Sequence, residues 1–101
     1  MSDNTAVLAT ARRQDPRAAA AVELLDWLGK NIPVETDSFG TYVDTRKLAD
    51  WSGPWSGGER RVVAVALSLL GAGTVDLYDV IGGLGGEHRA AVVRAIVAAA
   101  Q

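Results

Sequence analysis

The stretch from Ser56 to Gly71 constrains the fold more than any other part of the sequence, because it predicts one complete helix over residues 56–70. Ser56 and Glu59 have the spacing of a capping box, in which each side chain bonds the backbone N–H of the other residue. Gly71 occupies the position that favours a left-handed residue just after a helix. In the second half of this helix only Ser68 is polar, so nearly every side is apolar. Other elements must therefore cover it from more than one direction.

Length and charge indicate one small domain with no bulk attraction to anionic partners. A chain of 101 residues is long enough for a single hydrophobic core but not for two. Ten basic residues nearly balance twelve acidic ones, which argues against nucleic acid and anionic membranes as partners.

The residue inventory favours a soluble protein of the cytoplasm. The absence of cysteine excludes disulfides and thiolate metal sites, and it fits a reducing compartment. The single histidine, His88, cannot build a metal site alone, so we expect no metal. The first residues lack the layout of a signal peptide, and the apolar run of the central helix is too short to span a bilayer.

The N-terminal part of the sequence predicts a loose segment followed by a helix. Residues 1–14 have a helix-forming composition without a strong cap, so we expect a loosely ordered arm or helix. Asp15 and Pro16 are a clear helix start, since Asx residues cap and proline is favoured at the first helical position. The helix that follows extends to about Leu28. Trp27 lies off its apolar stripe, and we expect it to widen the buried face; the alternative is an exposed contact.

The next segment has no helical period and is predicted to be a loop. Pro33, Asp37 and Gly40 are turn residues within it. Its flanks, over residues 32–43, can instead pair as a small hairpin, although a two-stranded ribbon is marginal on its own.

From Val43 onward the sequence contains a degenerate repeat of a short helix, a glycine-containing turn and a long helix. In each copy an aspartate N-cap, Asp44 or Asp76, stands between a valine and a later apolar residue, which is the hydrophobic-staple arrangement. The second long helix is predicted from about Gly86 to Ala100, with an alanine-rich face that can pack on the central helix or on another copy of the chain. Two copies are too few for a solenoid, and a low-diversity composition is an alternative source of the match.

Together these patterns predict an all-α fold. Residues 15–101 form a single compact bundle of about five helices, with two short-helix, turn and long-helix units around the central helix.

Residues 55–60 resemble the signature motif of ABC-type ATPases, Leu-Ser-Gly-Gly-Gln/Glu, whose serine and backbone N–H groups face a nucleotide phosphate. The sequence departs from that family elsewhere. It contains no Gly-x-x-x-x-Gly-Lys-Ser/Thr phosphate loop, and residues 74–77 are not a Walker B strand ending in Asp-Glu. We therefore expect no nucleotide and no other cofactor, because a capping box explains the same residues.

A second resemblance covers residues 43–100. The Ser-Gly-Gly-Glu-Arg helix start, the Val-Asp-Leu cap at residues 75–77 and the final Val/Ala helix are together similar to the C-terminal part of small uncharacterised helical proteins of high-GC actinobacteria and their phages. The resemblance implies an all-helical fold and a bacterial or phage origin. It implies no known activity, so no functional residue is carried over.

Two functional classes are weighed against protein binding. A helix–turn–helix DNA-binding protein would direct His88, Arg89 and Arg94 of the last helix toward the groove. Residues 56–101 hold four acids and four bases without a basic stripe, which is unfavourable for phosphate neutralisation. For an enzyme, no nucleophile and base form a recognisable pattern, and Asp76 and Asp79 suit a helix N-terminus. We therefore expect no catalytic residues.

The remaining candidate is a pair of tryptophans on a stiff turn. Trp51 and Trp55 flank Ser-Gly-Pro and are followed by Arg60 and Arg61. Tryptophan and arginine are enriched in interface hot spots, so these four residues are the predicted partner-binding site. The alternative is that both indoles close the corner over the core. Our interpretation is a regulatory or accessory factor that binds another protein or itself as a homo-oligomer, with DNA binding as the alternative function.

Overall fold

The computed structural model of the chain describes residues 15–38 and 40–101, and five helices and one two-stranded sheet lie within them. In chain order the elements are α1 (Pro16–Leu28), β1 (Val34–Asp37), β2 (Gly40–Val43), α2 (Thr45–Trp51), α3 (Gly57–Leu69), α4 (Leu77–Gly83) and α5 (Gly86–Ala99). The predicted all-α bundle of about five helices is therefore confirmed. The N-terminal arm predicted over residues 1–14 lies outside the described residues.

Three helix starts and two helix ends lie where local chemistry predicts. Asp15, Asp44 and Asp76 each accept a hydrogen bond from a backbone N–H in the first turn of their helix, at 2.9 to 3.0 Å. Gly29 and Gly71 follow α1 and α3 with φ angles of 76° and 78°, the left-handed conformation that glycine adopts without strain. These boundaries are consequences of single residues rather than of packing.

The central position of α3 is confirmed, because α3 contacts all four other helices. Its buried side chains are Val62, Val63, Val65 and Ala66, which cover more than one face of the helix. Three leucines of its second half pack against the same core while remaining partly exposed: Leu67, Leu69 and Leu70. Arg60, Arg61 and Ala64 line a groove on another side of α3, so the helix is covered along its apolar residues and not all the way around.

The most extensive packing partners of α1 are α5 and α3. Ala20 and Leu24 of α1 face Ala91 and Ala95 of α5 across a narrow groove. The alanine face of α5 is thus used mainly against α1, where small side chains let two helices approach closely.

Residues 34–43 form the hairpin that was one of the two interpretations of this segment. The strands are antiparallel, with Val34 opposite Val43 and Asp37 opposite Gly40. Val43 and Ile32 are buried in the main core, which anchors a ribbon that would be marginal alone.

The chain also forms the two predicted units, α2 with α3 and α4 with α5, in each of which a long helix follows a short one. The turn of the second unit was predicted at Gly82 and Gly83, which was wrong, because both glycines lie in the last turn of α4 and the extended residue Leu84 leads into α5. No described helix combines the length and the hydropathy that crossing a membrane requires.

The burial of Val65 generates a first prediction. Val65→Asp removes roughly 1.5–3 kcal/mol of transfer free energy and adds a buried carboxylate without a partner. We expect the domain to unfold, as measured by far-UV circular dichroism and thermal denaturation. Val97→Asp, at an exposed position of α5, is the matched control and should remain helical. An unchanged melting temperature for Val65→Asp would mean that the core has been misplaced.

Candidate functional site

The four residues predicted to bind a partner are distributed over the end of α2, the turn that follows it and the first half of α3. Trp51 ends α2 and is 45% exposed, whereas Trp55 is partly buried against the core. Arg60 and Arg61 line a groove between α3 and the beginning of α4. Within the described residues, no hydrogen bond, ion pair or ring contact joins either tryptophan to either arginine.

Trp55 has a structural role at the start of α3. The ammonium group of Lys30 lies 5.4 Å from the centroid of the Trp55 ring, within the range of a cation–π interaction. The same ammonium group lies 3.4 Å from a carboxylate oxygen of Glu59. Lys30 therefore ties the end of α1 to the corner before α3, which matches the alternative that an indole closes this corner.

The residues of the ATPase-like motif are engaged with one another. The backbone N–H of Glu59 donates to the Ser56 hydroxyl at 3.2 Å, and the backbone N–H of Ser56 donates to the Glu59 carboxylate at 3.0 Å. The predicted capping box is confirmed. The hydrogen bond from the Ser56 N–H also lowers the pKa of Glu59, because it stabilises the ionised form.

Arg61 connects α3 with α4. Its guanidinium group donates to the carbonyl of Gly57 at 3.4 Å and lies 3.8 Å from a carboxylate oxygen of Asp79. The side chain crosses directly over Gly83, where a Cβ atom would overlap the guanidinium group. Gly83 is therefore required for this close approach. Its role is different from that of the turn glycine suggested by the sequence.

An exposed apolar patch on α4 was not found from the sequence. Tyr78 is 90% exposed and Leu77 is also exposed, while Val80 and Leu84 are buried. Tyr78 and its neighbours also line a shallow depression. We call this patch the α4 surface; it consists of Leu77, Tyr78, Ile81, Gly82 and Gly83. The sequence did contain a signal for this patch, because residues 77–84 carry more apolar side chains than one face of a short helix can bury.

The residues expected to face DNA are mostly engaged within the chain. The His88 ring lies edge-on to Trp27 with centroids 5.5 Å apart, and Arg89 donates to the carbonyl of Leu84 at 2.7 Å. Arg94 is exposed. Trp27 itself remains 40% exposed, so the expectation that it widens the buried face was wrong.

Two neighbouring carboxyl groups lie beside the hairpin. A side-chain hydrogen bond with Asp44 and the negative charge of Asp44 raise the pKa of Glu35. The Tyr42 hydroxyl donates to the Glu35 carboxylate at 3.5 Å. A hydrogen bond from the backbone N–H of Lys47 lowers the pKa of Asp44, which caps α2. Across residues 15–38 and 40–101, no group of three or more histidine and carboxylate side chains is arranged to hold a metal ion. The pair is thus explained by the local hairpin and cap.

Comparison of the chain with family models, with curated proteins and with solved structures gives no match. The resemblance of residues 43–100 to small actinobacterial and phage proteins stays a prediction. A functional interpretation therefore depends on the chemistry of the surface described above.

The capping box generates a second prediction. Ser56→Ala should lower the free energy of unfolding by about 1 kcal/mol, because one N–H at the start of α3 loses its acceptor. Millimolar ATP should leave the melting temperature of the wild-type protein unchanged. A thermal shift with ATP that disappears in Ser56→Ala would contradict the capping-only interpretation.

The lowered pKa of Glu59 generates a third prediction. Its ionised form is favoured in the folded protein, so this contribution to stability is present at neutral pH and is lost as the pH falls through the folded pKa. Glu59→Gln should therefore destabilise the protein in neutral buffer and have little effect in buffers well below the ordinary glutamate value of 4.5. Thermal melts of both proteins across this range measure the difference. A difference that does not change with pH would contradict the assignment.

Proposed function

We propose that this protein is a small regulatory or accessory factor of the cytoplasm, without catalytic activity of its own, that binds another protein through the α4 surface. The observation that carries the proposal is the exposure of Tyr78, 90%, beside the exposed Leu77. Tyrosine is among the residue types that contribute most to interface energy. An aromatic ring with so little contact to its own chain is available to a partner.

Charged residues lie next to this apolar centre. Asp79 lies in the depression next to Tyr78 and also lines the groove with Arg60 and Arg61. Arg60 is exposed, and Arg61 is partly exposed beside Asp79. An apolar centre with a polar rim is the usual composition of a protein interface. Two of the residues predicted from the sequence, Arg60 and Arg61, thus belong to the rim of this surface.

The α4 surface is also held rigidly. Val80 and Leu84 anchor α4 in the core, Asp76 caps its start, and Arg61 crosses over Gly83. Because α4 is already ordered, binding costs little conformational entropy on this side of the interface, which favours affinity.

Trp51 is a second proposed contact. It is 45% exposed at the end of α2, and its indole is of the type that dominates interface hot spots. Trp55 contributes less, since its ring packs against the core under Lys30. Variants at Trp51 and Tyr78 therefore separate two surfaces of the same molecule.

DNA binding remains the alternative function, with Arg89 and Arg94 as its candidate contacts. The balanced charge of the chain supports protein binding instead, because DNA affinity comes largely from phosphate neutralisation.

The fourth prediction tests this function by quantitative affinity capture from the native host. Tyr78→Ala should weaken retention of the partner by about 2 kcal/mol or more if Tyr78 is a hot spot. Tyr42→Ala, at the other tyrosine of the chain and also exposed, is the matched control and should retain the partner. Trp51→Ala is measured in parallel. Circular dichroism establishes that each variant is folded.

Two results would contradict the proposal. The first is equal retention by the wild-type, Tyr78→Ala and Trp51→Ala proteins. The second is duplex-DNA binding that falls steeply with salt and disappears in an Arg89→Ala, Arg94→Ala double variant, since this is the behaviour of a phosphate-binding protein.

A further inference from the structure

α5 carries a second stripe of apolar and small residues on the side opposite its buried face. Val93 and Val97 form its centre and are 46% and 55% exposed. The complete stripe, all exposed, is Gly86, Ala90, Val93, Val97 and Ala100. These residues are spaced four, three, four and three apart, which is the a/d spacing of a coiled-coil seam. α5 therefore has apolar residues on two opposite sides, and residues 15–38 and 40–101 leave one of these sides exposed.

The charges beside this stripe are arranged in a specific way. Glu87 and Arg94 are seven residues apart, so they occupy equivalent positions on the same flank of the stripe. Both are exposed, and neither has an ion-pair partner among the residues that the structure describes. The opposite flank carries Arg89 and Ile96.

An antiparallel pair of α5 helices matches these charges. In a two-fold dimer, if one residue contacts a second across the interface, the second contacts the first in return. With Ala90 opposite Val93 of the second copy, Gly86 lies opposite Val97, so a small residue meets a larger one at each step. This register places Glu87 beside Arg94 of the second copy, and the two-fold axis repeats the ion pair.

A parallel pair is unfavourable for the same residues. In a parallel coiled coil, a residue on one flank of the seam contacts a residue on the opposite flank of the partner helix. The contacted residue is five positions later in the sequence. In α5 that rule places Arg89 beside Arg94 of the second copy, which is a contact between like charges. The charge pattern therefore selects the antiparallel orientation.

We propose that α5 is a self-association surface on which a second copy of this chain docks antiparallel across a two-fold axis. The proposal goes beyond the binding of another protein by the α4 surface, since it uses different residues and a different helix. The helix has 14 residues, or roughly 21 Å of length, so the contact is small. Small interfaces are typically transient, and the dimer exchanges with monomer as the concentration changes.

Sedimentation equilibrium of the full-length protein over a range of concentrations tests the proposal, and a monomer–dimer equilibrium is the expected result. Glu87→Arg and Arg94→Glu should each weaken self-association by about tenfold or more, because each variant faces like charges across the interface. An equimolar mixture of the two variants should associate as a heterodimer. The double variant Glu87→Arg, Arg94→Glu should recover the homodimer. Loss of folding cannot produce this recovery.

Two further variants separate this proposal from the proposed function. Val93→Glu should abolish self-association, because it places a carboxylate in the middle of the seam. Tyr78→Ala should leave the dimer unchanged, since Tyr78 lies on α4. If the protein does not dimerise, the proposal that the α4 surface binds another protein is therefore unaffected.

Three results would overturn the proposal. The first is a full-length chain that stays monomeric at every concentration measured, whether or not another protein binds α5. The second is a dimer that Val93→Glu does not affect. The third is a pair of charge variants that each remain weak and do not associate with each other when mixed.

Discussion

The apolar second half of α3 is the constraint on which the rest of the structure depends. A helix of this kind is stable in water only when other elements surround it, because each exposed apolar side chain forfeits its transfer free energy. Four helices contact α3. The buried residues of the hairpin join the same core. The positions of the other helices thus follow from the need to bury the apolar residues of α3.

The helices that cover α3 keep some apolar residues exposed on their other sides. These exposed residues form the two surfaces proposed to bind partners. α4 buries Val80 and leaves Leu77 and Tyr78 exposed, and α5 uses its alanine face against α1 while Val93 and Val97 remain exposed. Short helices in a small domain cannot bury every apolar residue they carry, since much of the chain lies at the surface. The exposed remainder is where a partner finds both an apolar area and a rigid helix beneath it.

The sequence predicted the helices well because their boundaries depend on local interactions. Asp15, Ser56 and Gly71 satisfy backbone groups within their own turn, so no knowledge of the tertiary structure is needed. The hairpin could not be decided in the same way, because strand pairing depends on whether a core is available to anchor it. The direction of a side chain is still less local. Trp27 was expected in the core and is 40% exposed, since its side of α1 is only partly covered.

The site was harder to predict than the fold, and Lys30 illustrates both the reason and a practical result. Nothing in its sequence neighbours indicates that its ammonium group contacts Trp55 and Glu59, because these residues are brought together only by the packing of α1. Lysine amines are also the usual targets of acetylation and of amine-reactive dyes. The chain has two lysines, and modification of Lys30 would remove the charge that links α1 to the start of α3. Lys47, exposed on α2, is therefore the better attachment point for a fluorescent label.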